Sequence, residues 1–246
     1  MTTPGNYYSH RVTEAAAALV IAIDGPSGSG KSSVSRAVAR KLGLAYLDTG
    51  AMYRALTWWC RHEGVDLEDL AAVAEAARRL PLTMGTDPSA PFVQVGTESV
   101  DAAIRLTEIS ESVSKVATNL EVRAELLQRQ RDIIADCSAA VGGVVAEGRD
   151  ITTVVAPDAD VRILLVASEE ARLARRAREL HGEAHDEAVH ATRDQIVRRD
   201  RDDSSVSQFM QAAPGVDTVD TSDLDFEQSV QAVLDVVAER AGRVRA

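Results

Sequence analysis

The run Val20-Ile21-Ala22-Ile23 ends at Asp24, and Gly25-Pro26-Ser27-Gly28-Ser29-Gly30-Lys31-Ser32-Ser33 follows at once. A short β-branched run predicts a buried strand. Val34, Ala37, Val38 and Leu42 recur at helical spacing, which predicts a helix from Ser32 to a stop at Gly43. Strand, glycine-rich turn and helix in that order are the context in which Gly-x-x-x-x-Gly-Lys-Ser becomes a phosphate cradle, the P-loop. Glycine at 25, 28 and 30 lets consecutive N–H groups converge on one centre. The helix start adds unpaired N–H groups and the positive end of its dipole. Lys31 is then placed for the β- and γ-phosphates of a nucleotide, and the Ser32 hydroxyl for Mg²⁺.

Bulk properties bound what surrounds this loop. The 246 residues suffice for one large domain or a core with a smaller insert. With 27 basic against 38 acidic side chains the formal charge is −11, which repels a phosphate backbone and argues against a nucleic-acid partner. An anion site must then be a local cluster of arginines. Cys60 and Cys137 lie far apart without metal-ligand spacing, as expected in a reducing cytoplasm. Ala15 to Ile23 is too short for a membrane span and leads into the glycine loop, so it reads neither as a span nor as a secretory signal. Residues 1–17, which carry Pro4 and Gly5, are expected to form a disordered tail before a domain covering 18–246.

Downstream, Leu44 to Leu47 predicts a second strand, Asp48-Thr49-Gly50 a turn, and Ala51 to Glu63 a helix closed by Gly64. Leu67 to Leu80 predicts a helix capped by Asp66. Pro81, Pro88 and Pro91 then interrupt the alternation, and Phe92–Val95 with Glu98–Val100 around Gly96-Thr97 predict a β-hairpin. Residues 81–116 are read as an inserted lobe. Helices follow at Thr107–Ala117 and at Leu120–Asp136, the second capped by Asn119. Val144–Ala146 and Val161–Val166 are further strands. Ser168 caps a helix bearing Arg172, Arg175, Arg176 and Arg178, which is either a solvated face or part of a phosphate crevice. Val216–Val219 is a last strand and Phe226–Arg243 a closing helix. Tyr53 and Trp58 read as core. Strands alternating with helices predict an α/β fold of three layers, a parallel sheet covered on both faces. The active crevice belongs at the carboxyl ends of the strands, where Gly25, Asp48 and Glu147 would lie.

Two more stretches open on that edge. Asp48-Thr49-Gly50-Ala51-Met52-Tyr53-Arg54 follows the second strand, and Glu147-Gly148-Arg149-Asp150 follows the third. A hydroxyl with an arginine five residues on, and a guanidinium between carboxylates, suit a second anionic group. Together they suggest a nucleoside triphosphate and a smaller phosphorylated acceptor. The guanine-reading Asn-Lys-x-Asp is absent, which counts against a GTPase. His181, His185 and His190 lack the spacing of His-Glu-x-x-His, and Gly182 interrupts them, so residues 172–205 read as a charged, mobile lid and not as a zinc site.

These three motifs in this order, with Thr153-Val154-Val155-Ala156-Pro157-Asp158-Ala159 after them, resemble the bacterial cytidylate kinase family over about Ala18 to Ala241. The resemblance implies a P-loop kinase core, a lobe that grips the monophosphate and a helical lid. It implies ATP- and Mg²⁺-dependent transfer of a γ-phosphoryl group to CMP or dCMP, in pyrimidine nucleotide metabolism. A monomer is expected, though the sequence does not fix the oligomeric state. Gly25 to Ser33 would bind ATP. Thr49, where the family often has serine, and Arg54 would hold the acceptor phosphate. Ser114 and Arg123 match positions that read cytosine. Arg149 would add charge at the acceptor phosphate, and Asp150 would orient it or the sugar. Glu147 would reach Mg²⁺ or its waters beside Ser32. Arg199 and Asp203 match a lid motif Arg-Asp-x-x-Asp, with Arg199 near the phosphates and Asp203 at a ribose hydroxyl. Lys31, Arg54, Arg149, Asp150 and Arg199 are the catalytic set this implies. The family's further arginine, three residues on, is Val206 here. The sequence leaves Arg201 and the 172–178 helix open as its substitutes. A kinase of the same fold acting on shikimate or another monophosphate is the near alternative.

Overall fold

A computed structural model describes residues 18–181, 193, 200, 201, 204–207 and 209–244. Along the chain come β1 (Leu19–Asp24), α1 (Lys31–Leu42), β2 (Ala45–Asp48), α2 (Thr49–His62) and α3 (Leu70–Arg79). Then follow β3 (Leu82–Met84), β4 (Val93–Val95), β5 (Glu98–Ser99), a 3-10 turn at Ala103–Arg105, α4 (Thr107–Ala117) and α5 (Leu120–Val141). The remainder is β6 (Gly143–Gly148), a π-helical turn at Ile151–Val155, β7 (Val161–Val166), α6 (Glu169–His181), β8 (Asp217–Asp220) and α7 (Phe226–Val244).

Five strands pair in parallel in the order β2-β6-β1-β7-β8, with Asp24 opposite Gly148 and Asp48 opposite Glu147. Period-two alternation sends side chains to both faces, and both faces are buried. Ile21, Ile23, Val145, Ile163 and Leu165 pack with Val34 and Val38 of α1 and Val230 and Val233 of α7. Ala22, Leu47, Val144 and Ala146 face the other way, into a core with Met52, Leu56, Val73, Val122 and Leu126. These two cores are the outer layers of the expected α/β sandwich. No helix among the described residues is long and apolar enough to cross a membrane.

The hairpin between residues 92 and 100 forms, and a third strand joins it: Leu82 pairs with Val95 in an antiparallel sheet of order β3-β4-β5. The stretch Asp48-Thr49-Gly50 is no separate turn. Asp48 accepts the Ala51 N–H at 2.8 Å and caps α2, which therefore starts at Thr49. The third helix starts later than Leu67. Asp66 spends its carboxylate on the Glu68 N–H in a turn, and Asp69 caps α3 instead through the Ala72 N–H at 3.0 Å. Helix α5 continues past Asp136 until Gly142, whose φ of 81° ends it.

Candidate active site

At the carboxyl end of β1, Gly28 has φ 76°, and a Cβ there would lie 2.6 Å from the Arg172 carbonyl oxygen. Glycine is what lets α6 press against the loop. Gly30, at φ 88°, is the N-cap of α1 and offers no capping side chain. The first N–H groups of α1 thus keep their hydrogen-bonding capacity for a ligand. The buried Ser29 hydroxyl has no partner among the described residues. Residues 27–33 wall a cavity of about 810 Å³, with Asp48, Arg54 and Arg105 towards one end and Leu224, Phe226 and Arg178 towards the other.

Lys31, Ser32 and Glu147 meet on the floor. The Ser32 hydroxyl donates to Glu147 Oε1 at 2.6 Å, and Lys31 Nζ stands 4.0 Å from Oε2. Burial pushes the Glu147 carboxyl up to about 7 and the Asp48 charge adds to this, while Lys31 and the Ser32 hydrogen bond oppose it. Asp48 is half-buried, and Arg54 at 2.9 Å, the Ala51 N–H and Lys31 hold its carboxyl below the usual range against the desolvation that opposes them. A hydroxyl and a buried carboxylate converging on one point are hard oxygen donors, and they fit a magnesium ion.

A second, smaller cavity of about 70 Å³ adjoins the first. Lys31, Ser32, Asp48 and Arg54 wall both. The small cavity is completed by Tyr53 of α2, Arg123 of α5, Arg149 and Asp150 after β6, and Val206 and Ser207. Tyr53 and Trp58, expected in the core, do pack against it, both half-buried, and Tyr53 also borders this cavity. Arg123 pairs with Asp150 and also donates to the Ser207 hydroxyl at 3.1 Å and the Ala117 carbonyl at 3.2 Å. Thr49 is buried, and its hydroxyl donates to the Glu147 carbonyl at 2.8 Å. Ser114 lies on α4, where Val113 and Ala117 wall the small cavity and Ser114 does not.

Arg149 bridges the loop and Asp200. It donates to Asp200 at 2.8 Å and to the Ser27 hydroxyl at 3.0 Å, and its guanidinium lies 4.2 Å over the Phe209 ring. Arg172 donates to the same Asp200 carboxylate at 2.5 Å and to the Ser27 carbonyl at 2.9 Å. Asp200 also accepts the Ser27 N–H at 3.2 Å. Asp200 is buried, but the Arg149 charge and these hydrogen bonds hold its carboxyl below the usual range. Arg175 donates to carbonyls of Ser29, Thr221 and Leu224. The basic helix is therefore half structural and half cavity wall. Beneath the loop, buried Asp24 accepts the Ile151 and Thr152 N–H groups and the Thr152 hydroxyl at 2.8, 2.9 and 2.6 Å. Sequence reasoning passed over Asp24 and Asp200; a carboxylate flanked by arginines in the lid motif was the one signal for the second. Arg199, Asp203, His185 and His190 lie outside the described residues.

A family model described as cytidylate kinase matches residues 21–239. A cytidylate kinase of Streptomyces coelicolor is 49% identical over 231 residues, 93% of this chain and 96% of that protein. One from Streptomyces avermitilis is 48% identical over 225 residues, 91% of this chain and 94% of the relative. One from Cutibacterium acnes is 50% identical over 223 residues, 89% and 96% of the two.

Proposed function

We propose that this chain, which belongs to the cytidylate kinase family, moves the γ-phosphoryl group of ATP to CMP or dCMP, giving CDP or dCDP and ADP. The observation that carries this reading is the shared wall. Lys31, Ser32, Asp48 and Arg54 border both the large cavity over the P-loop and the small one beside it. A donor in one and an acceptor in the other have their phosphates meet at those four residues.

Charge sets the task. Two unit negative charges about 4 Å apart repel by roughly 4 kcal/mol at an effective dielectric of about 20. Lys31 and the N-terminus of α1 hold the donor's terminal phosphates. Arg54 exchanges Asp48 for the acceptor phosphate, and Arg149 supports the same group. Arg123, fixed by three partners, and Asp150 orient the pyrimidine nucleotide in the small cavity. Ser32 and Glu147 would hold Mg²⁺, which when bound neutralises charge on the donor's β- and γ-phosphate oxygens. The protein needs no nucleophile of its own, because the acceptor phosphate oxygen attacks. Positioning in line supplies most of the remaining acceleration. The contacts of Asp200 with Arg149, Arg172 and Ser27 favour a lid that covers the loop and keeps water from the donor. Thr49, with its proton committed to a carbonyl, serves to set the backbone at Gly148 more than to grip a phosphate.

A coupled assay of ADP release with ATP, Mg²⁺ and a panel of CMP, dCMP, UMP, AMP and shikimate tests this. Release confined to the cytidine nucleotides, with weaker use of UMP at most, is expected. Release with shikimate or AMP alone, or none with any acceptor despite tight ATP binding, contradicts it.

A further inference from the structure

The guanidiniums around the two cavities are largely committed. Arg54 is held by Asp48, Arg123 by Asp150, and Arg149 and Arg172 by Asp200. Arg175 is spent on the backbone of Thr221 and Leu224. Arg105 and Arg178 differ: each is exposed, walls the large cavity and makes no side-chain hydrogen bond or ion pair among the described residues. The Arg178 charge is felt at Arg175, away from the wall the two cavities share, whereas that of Arg105 is felt at Asp48, on that wall. The Arg105 charge helps to hold the Asp48 carboxyl ionised.

Its base is rigid. Arg105 ends the 3-10 turn whose middle residue, Ile104, is buried in the core that also holds Met52 and Leu56 of α2. The turn is closed by Ile104 N–H to Val100 O at 2.9 Å and Leu106 N–H to Ala103 O at 3.2 Å. The helix that carries Arg54 therefore also seats Arg105. A long cationic side chain on a fixed base, in the wall of the large cavity and with its charge felt at Asp48 of the shared wall, is placed to meet the most concentrated negative charge there. Val206, by contrast, lines the small cavity with an apolar side chain.

We propose that Arg105 is a catalytic residue that contacts the phosphoryl group in transit and supplies, from the 103–105 turn, positive charge that Val206 does not. The step is the one above: an acceptor phosphate oxygen forms its bond to the γ-phosphorus, the bond from that phosphorus to the β–γ bridging oxygen breaks, and its electron pair stays on ADP. Arg105 gains and loses no proton; it neutralises charge as the equatorial oxygens spread.

The inference rests on the CMP kinase reading, so the experiment measures wild type first, then Arg105→Ala, Arg105→Lys and, as a control outside the cavities, Arg79→Ala. With ATP, Mg²⁺ and CMP, Arg105→Ala is expected to lower kcat on the order of 10²- to 10³-fold while both KM values stay within about threefold. Arg105→Lys and added free guanidinium recover part of the loss, and Arg79→Ala matches wild type. A kcat for Arg105→Ala within about threefold of wild type overturns the assignment, as does a loss confined to the KM for CMP. Wild type that makes no CDP brings down the CMP kinase reading, and this inference with it; wild type that makes CDP while Arg105→Ala keeps pace brings down this inference alone.

Discussion

Arg123 has its orientation set before any substrate arrives. Asp150, the Ser207 hydroxyl and the Ala117 carbonyl fix the fork, so little side-chain entropy is left to lose on binding. Arg123→Ala is therefore expected to raise the KM for CMP by on the order of 10²-fold and leave the KM for ATP within about threefold. Steady-state kinetics with each nucleotide varied in turn decide it; a similar rise for both contradicts the acceptor role. Asp24 yields a prediction of a different kind. Burial raises its carboxyl to about 6, against the opposing pull of three hydrogen bonds from Ile151 and Thr152. The native state thus holds this proton more tightly than the unfolded chain. The Asp24 contribution is complete below the ordinary carboxyl range and declines as pH climbs to about 6. The stability gap between wild type and Asp24→Asn is expected to shrink by roughly 2 kcal/mol between pH 4 and pH 6.5 and then level off. Denaturant melts across that range check the sign; a gap that widens with pH contradicts it.

At the scale of elements, the P-loop is set by what leans on it as much as by its own glycines. Helix α6 brings Arg172 O close to Gly28, and Gly28→Ala must both strain a φ of 76° and drive a Cβ into that carbonyl. Gly43 has a similar φ of 67° but nothing within 4 Å of its Cβ position. Gly43→Ala is then expected to cost about 1–2 kcal/mol of stability and leave ATP affinity unchanged. Gly28→Ala is expected to cost at least as much and weaken ATP binding about tenfold or more. Thermal melts and titration calorimetry with ATP separate the two; equal ATP affinity in both variants removes α6 from the account. The same packing explains what the sequence disclosed. The strands and most helices were legible because apolar spacing over six to twelve residues is a local signal. The start of α3 was not, because Asp66 and Asp69 are equivalent caps on paper and hydrogen-bond geometry chooses between them. Strand β3 was missed because Leu82–Met84 pairs only across a loop of eight residues, with Val93–Val95.

On the scale of the whole molecule, the parallel order β2-β6-β1-β7-β8 brings three distant motifs to one edge. The glycine loop, Asp48–Arg54 and Glu147–Asp150 were each readable as stretches of sequence, and their meeting followed from the predicted sheet. Asp200 stood out only as a carboxylate between two arginines; its role was not readable, since it comes from Arg149, Arg172 and Ser27, which approach it from three separate segments. The hydroxyl of Thr49 was legible as a hydroxyl but not as one committed to a carbonyl. All of these details serve one claim, that a donor tail over Lys31 and a pyrimidine monophosphate beside Arg54 and Arg123 exchange a phosphoryl group across a common wall. Purified protein supplied with Mg²⁺, CMP and ATP labelled at its γ-phosphorus tests that claim most directly. The label is expected in the β-position of CDP, with ADP formed in equal amount and only when CMP is present. Label released as inorganic phosphate at the same rate with or without CMP, and none in CDP, would contradict it.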